Sequence, residues 1–177
     1  MGLDAAQVAA LLHTAATAGD TDAQGKAYEA LAVYLFQSVE GCIVAHDVTN
    51  VFGTEQIDVA VGNGRHPNGL TLLPSVILVE CKDWAQPVDS KTVGYFINIL
   101  TNRSVEVGIL IAANGITGNK EELTHAHALG IPALGRGIKL LVVTTDDIRD
   151  LTCSADFVEL LHQRYLRAFA SGSLGMP

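Results

Sequence analysis

The apolar residues of the chain form two helical stretches near the N-terminus and shorter runs after them. Residues 4–18 are alanine-rich, and residues 23–39 place apolar side chains three and four positions apart. Asp4 stands at the start of the first stretch, and Gly19–Asp22 separates the two. Because aspartate accepts hydrogen bonds from free helix N–H groups, these positions predict two capped helices.

Two extended runs come next, at Cys42–Val48 and Gln56–Val61. The second run alternates, which predicts one strand face with Ile57, Val59 and Val61 and the other with Gln56, Asp58 and Ala60. Aspartate is disfavoured in the middle of a strand. Asp58 therefore indicates either an edge position or a functional role.

The stretch Val76–Trp84 begins as an apolar strand and ends in ionisable residues. Its first four residues are apolar on both faces, as in a strand at the centre of a sheet. Alternation puts Glu80 and Lys82 on one face and Cys81 on the other. Because a buried charge costs several kcal/mol unless it is compensated, this pair needs a partner, water or a metal ion. The alternative is an ordinary surface ion pair at the end of the strand.

The second half of the chain alternates helices and strands. Asp89 or Ser90 is expected to cap a helix from about Ser90 to Asn102. Its apolar stripe consists of Val93, Phe96, Ile97 and Leu100. The later elements are predicted as a buried parallel strand at 105–112, a helix at 119–129, a strand at 138–143, a short helix ending near 151, a helix at 155–169 and a frayed tail at 171–177.

This order predicts one α/β domain over residues 1–177. Its central mixed sheet is expected to hold a three-strand meander followed by parallel strands, with helices on its faces. Within the domain we expect an N-terminal helix in residues 1–20, a core in 25–151, a C-terminal helix in 154–170 and a tail in 171–177.

Composition limits the classes of function. Three scattered cysteines without a CxxC pair argue against a disulfide framework and a zinc site. No apolar run reaches bilayer length and no basic segment opens the chain, so we expect a cytoplasmic protein without membrane association. The net charge of -8 predicts weak non-specific affinity for nucleic acid. Contact with DNA or RNA would therefore require a local patch, a divalent metal ion or a partner.

Asp58 on one strand and Glu80 with Lys82 on the next predict a site for a hard cation. Neighbouring strands lie about 5 Å apart, so two carboxylates on one face can share an ion. Oxygen ligands favour Mg²⁺ or Mn²⁺, which promote phosphodiester hydrolysis. Lys82 could orient the attacking water or stabilise charge in the transition state.

Three segments carry a resemblance to a known family: Gly53–Val59 (GTEQIDV), Val79–Trp84 (VECKDW) and Gly108–Gly118 (GILIAANGITG). In order, spacing and strand context they resemble the PD-(D/E)xK nuclease superfamily, which has the restriction-endonuclease-like fold. More narrowly, they are similar to Mrr-like restriction endonuclease domains. The resemblance extends from about Gly25 to Leu151.

The resemblance implies roles for individual residues. Asp58 and Glu80 match the metal-binding acidic pair, and Lys82 matches the catalytic lysine. Glu29, in the helix before the sheet, matches an acidic residue that many of these nucleases place beside the metal. Gln56 is expected to support Asp58 without contacting the metal ion itself. The proline of the superfamily motif is absent, since Ile57 precedes Asp58.

Other polar residues have weaker cases. The turn-rich loop 62–69 could carry Arg65 and His66 toward a phosphate backbone, or be a solvated hairpin tip. Trp84 could stack on a base or pack over the end of its strand. His46 and Asp47 are interpreted as isolated residues.

These observations predict a Mg²⁺- or Mn²⁺-dependent endonuclease acting on DNA, in restriction, defence or repair. The alternative is a non-catalytic or partner-dependent interaction module of the same fold in a larger bacterial assembly. A junction-resolving or repair nuclease would differ only in the shape of its substrate. We also expect a homodimer, because two nicks need two sites, and a partner protein that supplies DNA affinity.

Overall fold

The computed structural model describes residues 2–49, 56–117, 133, 135–171 and 175. The predicted helix at 119–129 lies outside these residues. The elements are α1 (Ala5–Thr17), α2 (Thr21–Gln37), β1 (Cys42–Thr49), β2 (Gln56–Asn63), β3 (Val76–Lys82), α3 (Ser90–Asn102), β4 (Val107–Ala112), β5 (Lys139–Thr144), α4 (Thr145–Arg149) and α5 (Ser154–Ser171).

The strands form one five-stranded sheet in the order β1-β2-β3-β4-β5. The first three strands make an antiparallel meander, and β4 and β5 continue the sheet in parallel to β3. The apolar run at Val76–Val79 is therefore in the central strand, as its sequence predicts. The predicted α/β fold with a mixed sheet is confirmed.

Aspartate side chains begin the three longer helices that precede β4. The carboxylates of Asp4, Asp20 and Asp89 accept backbone N–H groups of α1, α2 and α3 at 2.9, 2.8 and 2.8 Å. Each such cap contributes about 1 kcal/mol to helix stability. The predicted caps Asp4 and Asp89 are confirmed.

One face of the sheet is covered by α1, α2 and α5. We call the apolar residues between them the first cluster; it includes Leu31, Leu35 and Phe36 of α2, Val59, Ile77 and Val79 of the sheet, and Phe157 of α5. The rings of Phe36 and Phe157 meet edge to face with centroids 5.2 Å apart. Tyr28, which the sequence did not assign to the core, is buried here, and its hydroxyl hydrogen-bonds that of Thr145.

The other face is covered by α3. Its predicted stripe is buried as expected in what we call the second cluster, which contains Leu78, Leu110 and Leu140 of the sheet and Val93, Phe96, Ile97 and Leu100 of the helix. The two clusters confirm the predicted alternation of β3, with Ile77, Val79 and Cys81 in the first and Leu78 in the second. None of the helices in the described ranges is both long and apolar enough to cross a membrane.

The predicted face of Ile57 is wrong. Ile57 packs in the second cluster, whereas Val59 and Val61 pack in the first. Pairing of β2 with β3 ends at Val59, and a distortion at Asp47 interrupts pairing with β1. The regular alternation of β2 therefore does not continue to its first residues.

The expectation of a frayed tail is wrong for Gly175. Its N–H donates to the carbonyl of Leu140 and its carbonyl accepts the N–H of Val142, both at 2.9 Å. Gly175 therefore pairs with the outer side of β5. The physical reason is that an edge strand presents free backbone groups that another segment can satisfy.

We expect Gly108→Ala to destabilise the fold. A methyl group at Gly108 of β4 would overlap Leu100 Cδ1 and lie 2.9 Å from Phe96 Cε1, and both side chains are buried. Overpacking of this kind lowers the free energy of unfolding by about 1–3 kcal/mol, which urea denaturation measures. Gly25→Ala in α2 meets no atom within 4 Å and should stabilise the protein by about 0.5–1 kcal/mol. Equal stability of both variants would contradict the packing of α3 on β4.

Candidate active site

β2 and β3 stop pairing next to Asp58. Their paired residues run from Gly62 with Val76 to Val59 with Val79. Beyond that point the Oδ2 atom of Asp58 accepts the backbone N–H of Cys81 at 2.8 Å. Asp58 is 9% exposed, and its carboxylate takes the place of a backbone carbonyl as the acceptor of this N–H. Asp58 is therefore fixed at the point where the strands separate.

Glu80 and Lys82 lie at the end of β3 and form an ion pair. The Lys82 Nζ atom is 2.7 Å from Glu80 Oε1, and the two side chains are 23% and 12% exposed. β3 stays paired with β4 through both residues, which fixes the backbone that carries them. The structure therefore brings Asp58, Glu80 and Lys82 to one end of the sheet. This end of the sheet, with Glu29, is the candidate active site, and we call it the catalytic edge for its predicted role.

Glu29 reaches the catalytic edge from α2. It is half-buried, and its pKa is raised to about 7, first by burial and then by the negative charges of Asp58 and Asp47. Lys82 acts in the opposite direction and lowers this pKa. Glu29 therefore lies within electrostatic range of the two strands, although it belongs to a separate element.

The catalytic edge carries excess negative charge in a partly dehydrated setting. Burial raises the pKa of Asp58, while the Cys81 N–H and Lys82 oppose this rise. Burial and the charge of Asp58 raise the pKa of Glu80. Three carboxylates face one ammonium, so each disfavours the ionised form of its neighbours. A bound cation would relieve this repulsion.

Two carboxylates of this edge fit a hard divalent ion. Mg²⁺ is commonly held by one or two carboxylates and completed by water, and Asp58 and Glu80 supply such a pair from adjacent strands. Within the described ranges, no three histidine, cysteine, aspartate or glutamate side chains are arranged to hold an ion. The structure therefore does not bring Glu29 into a three-ligand cluster, and its role as a ligand stays a prediction.

Asp47 is a residue of this region that sequence reasoning missed. The register places it opposite Asp58, but its backbone has a φ of 53° and it is not paired in β1. His46 Nδ1 lies 3.1 Å from Asp47 Oδ2, and the side-chain amide of Gln56 donates to Asp47 Oδ1 at 3.2 Å. Gln56, predicted to support Asp58, is exposed and contacts Asp47. The only sequence signal was the position of Asp47 in a strand that precedes Asp58.

Trp84 borders the catalytic edge, whereas Arg65 and His66 do not. The ring of Trp84 is 5.9 Å from Lys82 Nζ, and the residue is 42% exposed. Arg65 and His66 follow the far end of β2, about 16 Å from Asp58 at ~3.3 Å per residue. His66 Nδ1 is 2.9 Å from a carboxylate oxygen of Glu40, and Arg65 Nε donates to a backbone carbonyl. These two residues therefore do not join the site.

The family model described as restriction endonuclease (Mrr_cat) matches residues 21–148. The chain belongs to this restriction endonuclease family. The match runs from α2 into α4, so it includes Glu29, Asp58, Glu80 and Lys82. A comparison with curated proteins gives no match. Membership of the restriction endonuclease family confirms the resemblance that the sequence motifs carry and indicates endonuclease activity.

The raised pKa of Glu29 predicts a pH-dependent stability when divalent metal is absent. The unfolded chain loses this proton near the ordinary value of 4.5, and the folded chain loses it near about 7. The folded state therefore binds more protons between these values, and the free energy of unfolding falls as pH rises through this range.

In Glu29→Gln, the free energy of unfolding should fall less as pH rises, because the group that takes up the proton is removed. Urea denaturation in EDTA, between pH 4.5 and 7.5, measures it, with the exposed Glu159→Gln as the control variant. A slope that is the same in Glu29→Gln and wild type would contradict the placement of Glu29 beside Asp58.

Proposed function

We propose that this chain is a metal-dependent endonuclease that hydrolyses phosphodiester bonds in DNA. The observation that carries the proposal is the convergence of Asp58, Glu80 and Lys82 where β2 and β3 separate, within the segment that matches the restriction endonuclease family. The Cys81 N–H holds the carboxylate of Asp58, and Glu80 and Lys82 hold each other, so the positions of the three side chains are defined before substrate binds.

Asp58 and Glu80 would hold Mg²⁺ or Mn²⁺, and Glu29 would assist from α2 through its negative charge. When bound, the ion supplies positive charge to the phosphate and the leaving oxygen and makes a water molecule more acidic. Asp58 is oriented for this role because the Cys81 N–H holds one of its carboxylate oxygens. Support of this kind fixes a ligand and tunes its basicity.

Lys82 contributes a positive charge in this mechanism. Burial lowers the pKa of Lys82, but attraction to Glu80 and Asp58 outweighs that effect and raises it overall. Lys82 is therefore protonated at neutral pH. An ammonium in this position stabilises the charge that develops on the phosphate, or orients the attacking water by donating a hydrogen bond.

Contact with DNA has to come from local features, since the net charge is -8. Trp84 offers an exposed ring beside Lys82 on which a base can stack. Arg65 and His66 lie at the other end of β2 and would reach DNA only along a longer footprint. The bound metal ion and a partner protein would supply the remaining attraction to DNA. The endonuclease would act in restriction, defence or repair.

Lys82→Ala and Asp58→Ala should each lower DNA cleavage by roughly 100-fold or more, because each removes a charge from the reacting phosphate or its metal ion. Plasmid, linear duplex and single-stranded DNA are tested with Mg²⁺ or Mn²⁺, and chelation by EDTA should stop cleavage. The matched acidic control is Asp150→Asn, an exposed residue outside the catalytic edge. Cleavage that survives both alanine substitutions would overturn the site.

Metal binding can be tested without activity. A ligand that binds only the folded state raises the melting temperature with concentration, so Mg²⁺ should stabilise wild type but not Asp58→Asn. If wild type binds no Mg²⁺ or Mn²⁺ and cuts no DNA, the nuclease proposal fails and the non-catalytic interaction module replaces it.

A second copy of the chain is the proposed partner for an exposed apolar sheet face. Ile43 and Val76 are 78% and 52% exposed, and the register places both beside Gly62. The same patch on two copies can meet across a twofold axis, which would supply two active sites for the two DNA strands.

Ile43→Lys should therefore shift wild-type dimers to monomers in sedimentation equilibrium, because it puts a charge on an apolar contact. Leu166→Lys, an exposed leucine of α5, is the control. Wild type that sediments as a monomer throughout would exclude this dimer.

A further inference from the structure

A cavity of about 390 Å³ lies at the carboxyl ends of the three parallel strands. We call it the β3–β5 cavity. In open α/β sheets, ligands bind outside the carboxyl ends of the strands, and binding cavities commonly measure 300–1,000 Å³. The lining residues include Ala15 and Ala16 of α1, Tyr28 of α2, Asp83 and Asn114 after β3 and β4, and Asp146 and Arg149 of α4.

The cavity adjoins the catalytic edge through two separate elements. The N–H of Ala113, which lines the cavity, donates to the carbonyl of Lys82 at 2.9 Å, and Asp83, also in the lining, directly follows Lys82 along the chain. From α2, the lining residue Tyr28 directly precedes Glu29. Neither the cavity nor these two neighbours is used in the proposed cleavage mechanism. A polynucleotide that places a phosphate at Lys82 would therefore have an adjoining nucleotide near this cavity.

The walls of the cavity differ in chemistry. α1 contributes the apolar side chains of Leu12, Ala15 and Ala16, of which Ala15 is buried and Ala16 exposed. The opposite side offers hydrogen-bonding groups of both kinds. The carboxylates of Asp83 and Asp146 accept, Asp146 through the oxygen that is not paired with Arg149. The amide of Asn114 donates one N–H to the Trp84 carbonyl at 2.6 Å and keeps its second N–H and its oxygen. A ligand that fits this arrangement has apolar faces and a polar edge.

A phosphate group does not match these walls. Two carboxylates line the cavity, and the guanidinium of Arg149 is already paired with Asp146 at 2.7 Å. A nucleobase matches better, because its ring faces are apolar and its edge carries both donors and acceptors.

We propose that the β3–β5 cavity binds a nucleobase of the substrate strand, turned out of the helical stack beside the phosphate that is cleaved. This inference rests on the proposed nuclease function. Enzymes reach a base inside a duplex only by extruding it, and extrusion is easiest where the base is mismatched or single-stranded. The chain should therefore cut mismatched or single-stranded sites faster than matched duplex.

The test compares Ala16→Phe with Ala9→Phe in the full chain. Both alanines are exposed on α1, but only Ala16 lines the cavity, so a phenylalanine there would occupy it. Ala16→Phe should lower DNA cleavage by about tenfold or more, because the substrate is displaced from its reactive position. Ala9→Phe should cleave like wild type, and Mg²⁺ should raise the melting temperature of both variants equally.

A fluorescent base reports extrusion directly. A set of DNA duplexes carries 2-aminopurine, each at a different position beside the mapped cleavage site. Each duplex is bound to the Lys82→Ala variant, which leaves the DNA uncut. Fluorescence should rise severalfold at one position, as unstacking removes quenching. This rise in fluorescence should persist in the double variant Lys82→Ala, Ala9→Phe. It should disappear in the double variant Lys82→Ala, Ala16→Phe.

Three outcomes would overturn the inference. If wild type cuts DNA while Ala16→Phe matches Ala9→Phe in cleavage and fluorescence, the cavity holds no substrate base and the nuclease proposal stands. If Ala16→Phe abolishes only the binding of free nucleoside monophosphates, the cavity serves a free nucleotide. If wild type cuts no DNA with Mg²⁺ or Mn²⁺, the nuclease proposal fails and the substrate base fails with it.

Discussion

The hydrogen bond from the Cys81 N–H to Asp58 determines the geometry of the catalytic edge. It forms where β2 and β3 have ceased to pair, and it satisfies an amide that would otherwise be buried without a partner, at a cost of about 1–3 kcal/mol. One carboxylate thus ends the antiparallel pairing and fixes its own orientation. Glu80 and Lys82 lie beside the point at which the two strands separate.

The rest of the domain holds that opening in place. β3 remains paired with β4 up to Lys82, and the first cluster packs α2 against the sheet so that Glu29 faces the two strands. Burial that stabilises the core also removes water from the carboxylates, which raises their pKa values. Structural stability and the raised pKa values of these carboxylates therefore have a common origin in the packing of α2 on the sheet.

Local pattern was sufficient for much of this architecture. The bounds of α3, its buried stripe and the alternation of β3 follow from periodicity and caps, which act over a few residues. Ile57 and Asp47 could not be predicted this way, because their positions depend on where two strands stop pairing. The family motifs named Asp58, Glu80 and Lys82, but the distance of Arg65 and His66 from them and the β3–β5 cavity arise from contacts between elements distant in sequence.

The buried thiol of Cys81 can report the transient opening of the catalytic edge. Its thiol is buried against the first cluster, and burial raises its pKa well above the ordinary cysteine value, so it neither ionises nor meets a reagent in the folded state. Cys42 is half-buried and Cys153 is exposed, so both differ from it in accessibility. The rate at which Cys81 reacts with an alkylating agent would therefore depend on how often the edge transiently opens, and a cation held by Asp58 and Glu80, as proposed, would slow that reaction.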